Sequence, residues 1–148
     1  MALFTFGEGY HNYHHKFEWD YRNGIKWYNF DPSKWIIKFL SFFKITYSLK
    51  KASDYNIFKA KIDTLLEKIN LASNETLEKK YSSKISKIME SALSNLSLLK
   101  KLEIKYRAID KAGFSKNEYK KQISICKYKI QKSLASLMTI LVNIKSLV

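Results

Sequence analysis

The 148-residue sequence is 46% apolar and carries a net charge of +14, with 27 Lys and Arg against 13 Asp and Glu. That length suits one ordinary domain with a sizeable core. The lone Cys126 excludes an internal disulfide and fits a reducing, cytosolic setting. No uncharged apolar run approaches the roughly 20 residues needed to cross a bilayer, and the stretch "MALFTF" lacks the charged start and cleavage site of a signal peptide.

Charge and aromatics divide the chain. Seventeen of the 22 aromatic residues fall in residues 1–58, whereas residues 50–148 hold 21 of the 27 basic ones. The basic excess suggests an anionic partner: membrane lipid, nucleic acid or coenzyme phosphate. Only Arg22 and Arg107 are Arg, and base-edge readout favours Arg. The lysines therefore read as general surface charge, and no nucleic acid is expected as a partner.

From the N-terminus, all three histidines, His11, His14 and His15, occur within five positions. On a helix this i, i+3, i+4 spacing confines the imidazoles to an arc of roughly 100°, so they can converge on one metal or two. Neutral imidazole is a good ligand for Fe, Zn, Cu and Ni; the bland alternative is adventitious binding by exposed rings. Residues 7–32 hold three of the four glycines and the only proline, and predict loops and short helices. Asn23-Gly24 signals a turn. Asp31-Pro32 signals a helix start.

From Ser33 to about Leu49 the pattern predicts a helix with a wide apolar arc, leaving Lys34, Lys38 and Ser41 as a narrow polar stripe. Such a helix suits the interface plane of a bilayer, with Trp35, Phe39 and Phe42 buried and lysines reaching the headgroups. A helix buried in a globular core is the alternative. After Asp54, long amphipathic helices are predicted at spacings of three and four. The first carries Phe58, Ile62, Leu65, Leu66 and Ile69; the second runs Leu77, Tyr81, Ile85, Ile88, Ala92, Leu96 and Leu99, with Gly113 as its stop. The third opens with a capping box at Ser115–Glu118 and carries Tyr119, Ile123, Cys126, Ile130, Leu134, Leu137, Leu141 and Ile144. Cys126 therefore reads as core. The expected fold is mainly α: residues 1–58 as one segment, and residues 59–148 as a basic helical hairpin or coiled coil with no catalytic constellation.

The residues around the histidines narrow the reading. "FTFGEGYHNYHHKF" followed by "DYRNGIKWYNFDPSKW", and by "ITYSLKKAS", closely resembles the third histidine box and following segment of the membrane-bound acyl-CoA (Δ9, stearoyl-CoA type) fatty acid desaturases. The resemblance covers residues 3 to about 58, with Gly7, Gly9, all three histidines, Asp20-Tyr21, Trp27 and Asp31-Pro32 in place. One departure is Glu18, where the family usually has Pro. The resemblance implies that His11, His14 and His15 ligate a non-haem di-iron centre. Glu8 would either accept a hydrogen bond from a ligand's free N–H or stand as an ordinary charge in a Gly-rich loop, while Tyr10 and Tyr13 would serve packing and not redox chemistry. It further implies a parent reaction that places a cis double bond in an acyl-CoA or acyl-lipid, using O₂ and electrons from a carrier such as cytochrome b5 or ferredoxin. The implied location is the cytoplasmic side of a membrane.

The family's other two histidine boxes and its membrane helices have no counterpart in this sequence, which contains no further histidine. The expectation is a C-terminal desaturase piece, from a split, decayed or mis-started gene. It would be inactive alone and would need the missing N-terminal part as a partner. The rival reading is a non-enzymatic membrane-surface or coiled-coil interaction module with a relic histidine box.

Overall fold

The computed structural model describes residues 11–26, 28–73, 75–109 and 113–147, and their side chains except at 11, 12, 75–79 and 113–115. Five helices follow one another: α1 (His11–Lys16), α2 (Pro32–Phe42), α3 (Asp54–Ala72), α4 (Glu75–Ala108) and α5 (Gly113–Lys145). There is no strand among the described residues, so the fold is mainly α, as the periodicity predicts. Among those residues no helix is long and apolar enough to cross a membrane. The chain divides into two compact units, one ending at Ser53 and the other beginning at Asp54.

The second unit is an up-down-up arrangement of α3, α4 and α5. One apolar cluster joins Phe58 and Ile62 of α3 to Ala92, Leu96, Leu99 and Leu102 of α4 and to Cys126, Ile130 and Leu134 of α5. The next joins Ile69 to Leu137, Ile140, Leu141 and Ile144, with Tyr81, Ile85 and Ile88 packed against them. The early part of α4 thus meets the late part of α5, so those two helices are antiparallel, and α3 runs alongside α5. Leu99, Ile130 and Leu137 are completely buried, and each such side chain contributes about 2 kcal/mol through loss of apolar contact with water.

Cys126 is part of this core, and burial pushes its thiol pKa up, which disfavours the reactive thiolate. Lys127 pairs with Asp54, and the Lys100 ammonium lies 5.2 Å from the Tyr55 ring centroid. These two contacts hold the start of α3 to both of its neighbours.

One expected boundary is corrected. Gly113 opens α5 instead of stopping α4, which ends at Ala108. The capping box expected at Ser115–Glu118 does not start the helix either. Glu118 accepts a hydrogen bond from Gln122 Nε2 at 3.1 Å, one turn further on, so its carboxylate acts within the helix.

Candidate functional site

The first unit is organised differently. Among its described residues the buried side chains include Asp20, Asp31 and Lys34, but only Phe17 and Ala52 among apolar ones. Buried charge is unfavourable unless it is fully hydrogen-bonded, and here it is.

Asp20 is 2% exposed and accepts five hydrogen bonds. Its Oδ2 receives Tyr13 Oη, Arg22 Nη2 and the backbone N–H of Ala52, each at 2.7 Å. Its Oδ1 receives Arg22 Nε at 2.9 Å and the Arg22 backbone N–H at 3.0 Å. Burial by itself would raise the carboxyl pKa. The hydrogen bonds from Arg22, Tyr13 and Ala52 outweigh it and hold the pKa at about 2, below the ordinary 3.8.

Asp31 is fully buried and serves two segments at once. As the N-cap of α2 its Oδ1 receives the Lys34 N–H at 3.0 Å, and Pro32 follows it in the first turn. Its Oδ2 receives the backbone N–H groups of Asn23 at 2.7 Å and Gly24 at 3.0 Å, which fixes the predicted Asn-Gly turn against the helix start. Gly24 has no room for a side chain, since an added Cβ would come within 2.5 Å of Asn29 Cβ.

Lys34 corrects the sequence reading. Expected on an exposed polar stripe, it is 5% exposed. Its Nζ donates to the carbonyls of Lys26 at 3.0 Å, Gly24 at 3.1 Å and Asn29 at 3.3 Å. All three donor positions of the ammonium are used, so the loop between α1 and α2 is gathered around one cation. The extent of α2 is corrected too, since it ends at Phe42 instead of running on to about Leu49. Lys44 adopts a left-handed backbone (φ 58°), and the pairs Ile45 N–H to Leu40 C=O and Lys44 N–H to Ser41 C=O, both 3.1 Å, complete a Schellman stop. No glycine announced that stop.

The histidine helix α1 stands on this polar platform. Tyr13, between His11 and His14 on α1, donates to Asp20, and its ring lies 5.1 Å from that of buried Phe17. Tyr13 therefore does more than pack. Burial and the neighbouring carboxylate push its phenol pKa up, so it stays protonated and donates. The backbone N–H of Phe17 closes α1 onto the carbonyls of Tyr13 and His14 at 3.0 and 3.1 Å. His14 and His15 are both exposed, with ring centroids 6.2 Å apart. His11 is the first residue of α1; its side chain, and Glu8 and Tyr10 altogether, lie outside the described residues. Among the described residues no three His, Cys, Asp or Glu side chains converge as a metal site.

What this arrangement offers is two outward-facing imidazoles on a short helix whose base is fixed by a buried carboxylate. Neither the Asp20 clamp nor the Lys34 anchor was read from the sequence. The only local hint was the Asp-x-Arg spacing of Asp20 and Arg22, since the Ala52 donor is 32 residues away.

The platform also yields a pH prediction. A carboxyl held at about 2 in the fold and near 3.8 when unfolded stabilises the fold fully above pH 3.8, and that stabilisation is lost as pH falls through 2. After allowance for solvent screening it amounts to about 1–2 kcal/mol. All three tryptophans lie in the first unit, so their fluorescence reports its unfolding. Between pH 4 and 2 the wild-type chain should lose more stability than Asp20→Asn. Parallel curves over that window would show that the carboxylate is not held as described.

No protein-family model and no solved structure matches this chain. Curated proteins do. Acyl-CoA desaturase 1 of Saccharomyces cerevisiae is 54% identical over 69 residues, which is 47% of this chain and 14% of the relative. The probable acyl-CoA desaturase of Schizosaccharomyces pombe is 52% identical over 58 residues, or 39% of this chain and 12% of the relative. Human stearoyl-CoA desaturase 5 is 40% identical over 53 residues, or 36% of this chain and 16% of the relative. The chain thus spans a small fraction of the length of the relatives it matches. The likeness identifies it as carrying a C-terminal-type segment of an acyl-CoA desaturase of the stearoyl-CoA type.

Proposed function

We propose that the first unit supplies the third histidine box of a fatty acid desaturase that introduces a cis double bond into a saturated acyl chain. The observation that carries this reading is the 54% identity to a yeast acyl-CoA desaturase, in a chain whose histidines sit together on one anchored helix. His14 and His15 present nitrogen donors of a kind that suits non-haem iron, and His11 completes the spacing. These three residues would hold their share of a di-iron centre, which when bound supplies the O₂ activation that no side-chain acid or base can provide for an unactivated methylene. The role of this chain's other residues is to hold the ligands still. Asp20 fixes Tyr13, Tyr13 fixes α1, and Glu8 would orient a ligand imidazole. Three imidazoles are too few for two irons, so the chain alone is expected to be inactive. The acyl-CoA or acyl-lipid substrate, O₂, and electrons from cytochrome b5 or ferredoxin belong to the assembled enzyme.

The test is a chimera. Residues 1–58 replace the corresponding segment of the yeast relative, and unsaturated acyl chains are measured in cells lacking their own desaturase. Restored unsaturation is expected. A chimera that accumulates normally and makes none would overturn the reading.

We also place the first unit at the cytoplasmic surface of a membrane. This unit buries Asp20, Asp31 and Lys34 yet exposes the rings of α2: Trp35 is 44% exposed, Phe39 64% and Phe42 82%, with Phe43 and Ile45 beside them. Phe39 and Phe42 each pack edge-on against Phe43, so these rings form one exposed apolar cluster, the kind of surface that marks a membrane or partner contact. Lys38 and Lys44 flank it, and each Lys near an anionic leaflet adds about 1 kcal/mol. The chain should sediment with phosphatidylserine-containing vesicles and be only partly released by high salt, because salt screens lysines but not inserted rings. In the triple variant Trp35→Ser, Phe39→Ser, Phe42→Ser the remaining binding should be fully salt-sensitive. A wild-type chain that stays in the supernatant would refute the placement.

A further inference from the structure

In the second unit the antiparallel pair α4 and α5 leaves an open groove of about 340 Å³. Lys87, Ser91 and Asn95 line one wall at intervals of one helical turn; Lys129, Lys132 and Ser133 line the other. No carboxylate lines the groove, and none of the three ammonium groups has an ion pair among the described residues. The hydroxyls of Ser91 and Ser133 have no hydrogen-bond partner there either. Many lysines of this surface are unpaired. This set differs in being gathered around a concavity together with spare hydroxyl donors.

We propose that this groove binds a phosphate-bearing anion through Lys87, Lys129 and Lys132, with Ser91 and Ser133 donating to its oxygens. Three like charges facing one cavity repel one another, and a multiply charged oxyanion relieves all three, whereas a single carboxylate neutralises one. Lysine binds phosphate as a point charge and needs no bidentate geometry, so the shortage of Arg is no obstacle. The groove has no aromatic lining on which bases could stack, which sets it apart from single-strand nucleic-acid channels. The phosphate could belong to a soluble polyphosphate or to a phosphorylated lipid headgroup, and both present the same chemistry.

Titration calorimetry of the full chain with sodium tripolyphosphate, at about 0.15 M salt, tests the site. The pair Lys129→Gln, Lys132→Gln should weaken binding at least about tenfold. The charge-matched pair Lys120→Gln, Lys121→Gln, outside the groove, should change it less than about twofold, and neutral Ser133→Ala should weaken it by about threefold. All these positions are at least partly exposed, and an unchanged helical dichroism signal verifies the fold. The source is read with phosphatidylcholine vesicles containing phosphatidylinositol bisphosphate. A lipid headgroup is the ligand if tripolyphosphate displaces the chain and the groove pair loses vesicle binding while the control pair keeps it. A soluble phosphate is the ligand if vesicle binding is the same for all variants while tripolyphosphate binding follows the groove. Absence of tripolyphosphate binding, or equal losses for the two Lys pairs, would overturn the proposal in favour of diffuse surface charge.

Discussion

In the chimeric desaturase, His14→Ala and His15→Ala should each lower unsaturated acyl-chain production by more than about a hundredfold. Both imidazoles are solvent-exposed on α1 with ring centroids 6.2 Å apart, so their nitrogens are accessible to a metal. Loss of an outer partner of a metal ligand already costs about 10- to 100-fold, and loss of the ligand itself should exceed that. Lys16→Gln, on the same helix and also exposed, should leave production unchanged and serves as the control for surface damage. His11→Ala should behave like the other two histidine variants. Production above about a tenth of wild type in any of the three would remove that residue from the ligand set. Iron content of the purified chimeras separates lost ligation from lost turnover.

The second large effect should come from Asp20→Ala, at about 3–5 kcal/mol of the first unit's stability. The substitution strands a guanidinium that is 15% exposed, and it leaves the Tyr13 hydroxyl and the Ala52 N–H without their acceptor. Tyr13→Phe removes one of the five hydrogen bonds and should cost about 1 kcal/mol. Urea unfolding followed by tryptophan fluorescence gives both values, since every tryptophan lies in this unit. If Asp20→Ala cost no more than Tyr13→Phe, the carboxylate would not be the node that joins α1 to the segment before α3. The two variants also test the positioning role. In the chimera, Tyr13→Phe should reduce activity while leaving iron content closer to wild type than the histidine variants do, because α1 remains but is held less firmly.

Much of the chain's organisation was legible from residue spacing. Apolar positions three and four apart define the α3, α4 and α5 stripes, because a helix that must bury one face can do so only at that period. Cys126 falls on such a stripe and is core. Asp31-Pro32 marked the start of α2 because a carboxylate acceptor and a residue without an N–H both suit a helix N-terminus. The histidine spacing and its flanks identified the desaturase likeness without any coordinates.

Other features depended on contacts between residues far apart in the chain. Lys34 reads as a surface residue by type and periodicity. It is buried because the carbonyls of Gly24, Lys26 and Asn29 converge on its ammonium, and no helical pattern encodes that convergence. Asp20 reads as an ordinary acidic residue until the N–H of Ala52 and the hydroxyl of Tyr13 close on it from opposite sides in sequence. The early end of α2 follows from a left-handed lysine where a glycine would have announced the stop. Periodicity determined which faces are apolar, because that depends on one helix at a time. The placement of the buried charges was decided by tertiary structure, because a buried charge persists only where several separate segments bring it hydrogen bonds at once.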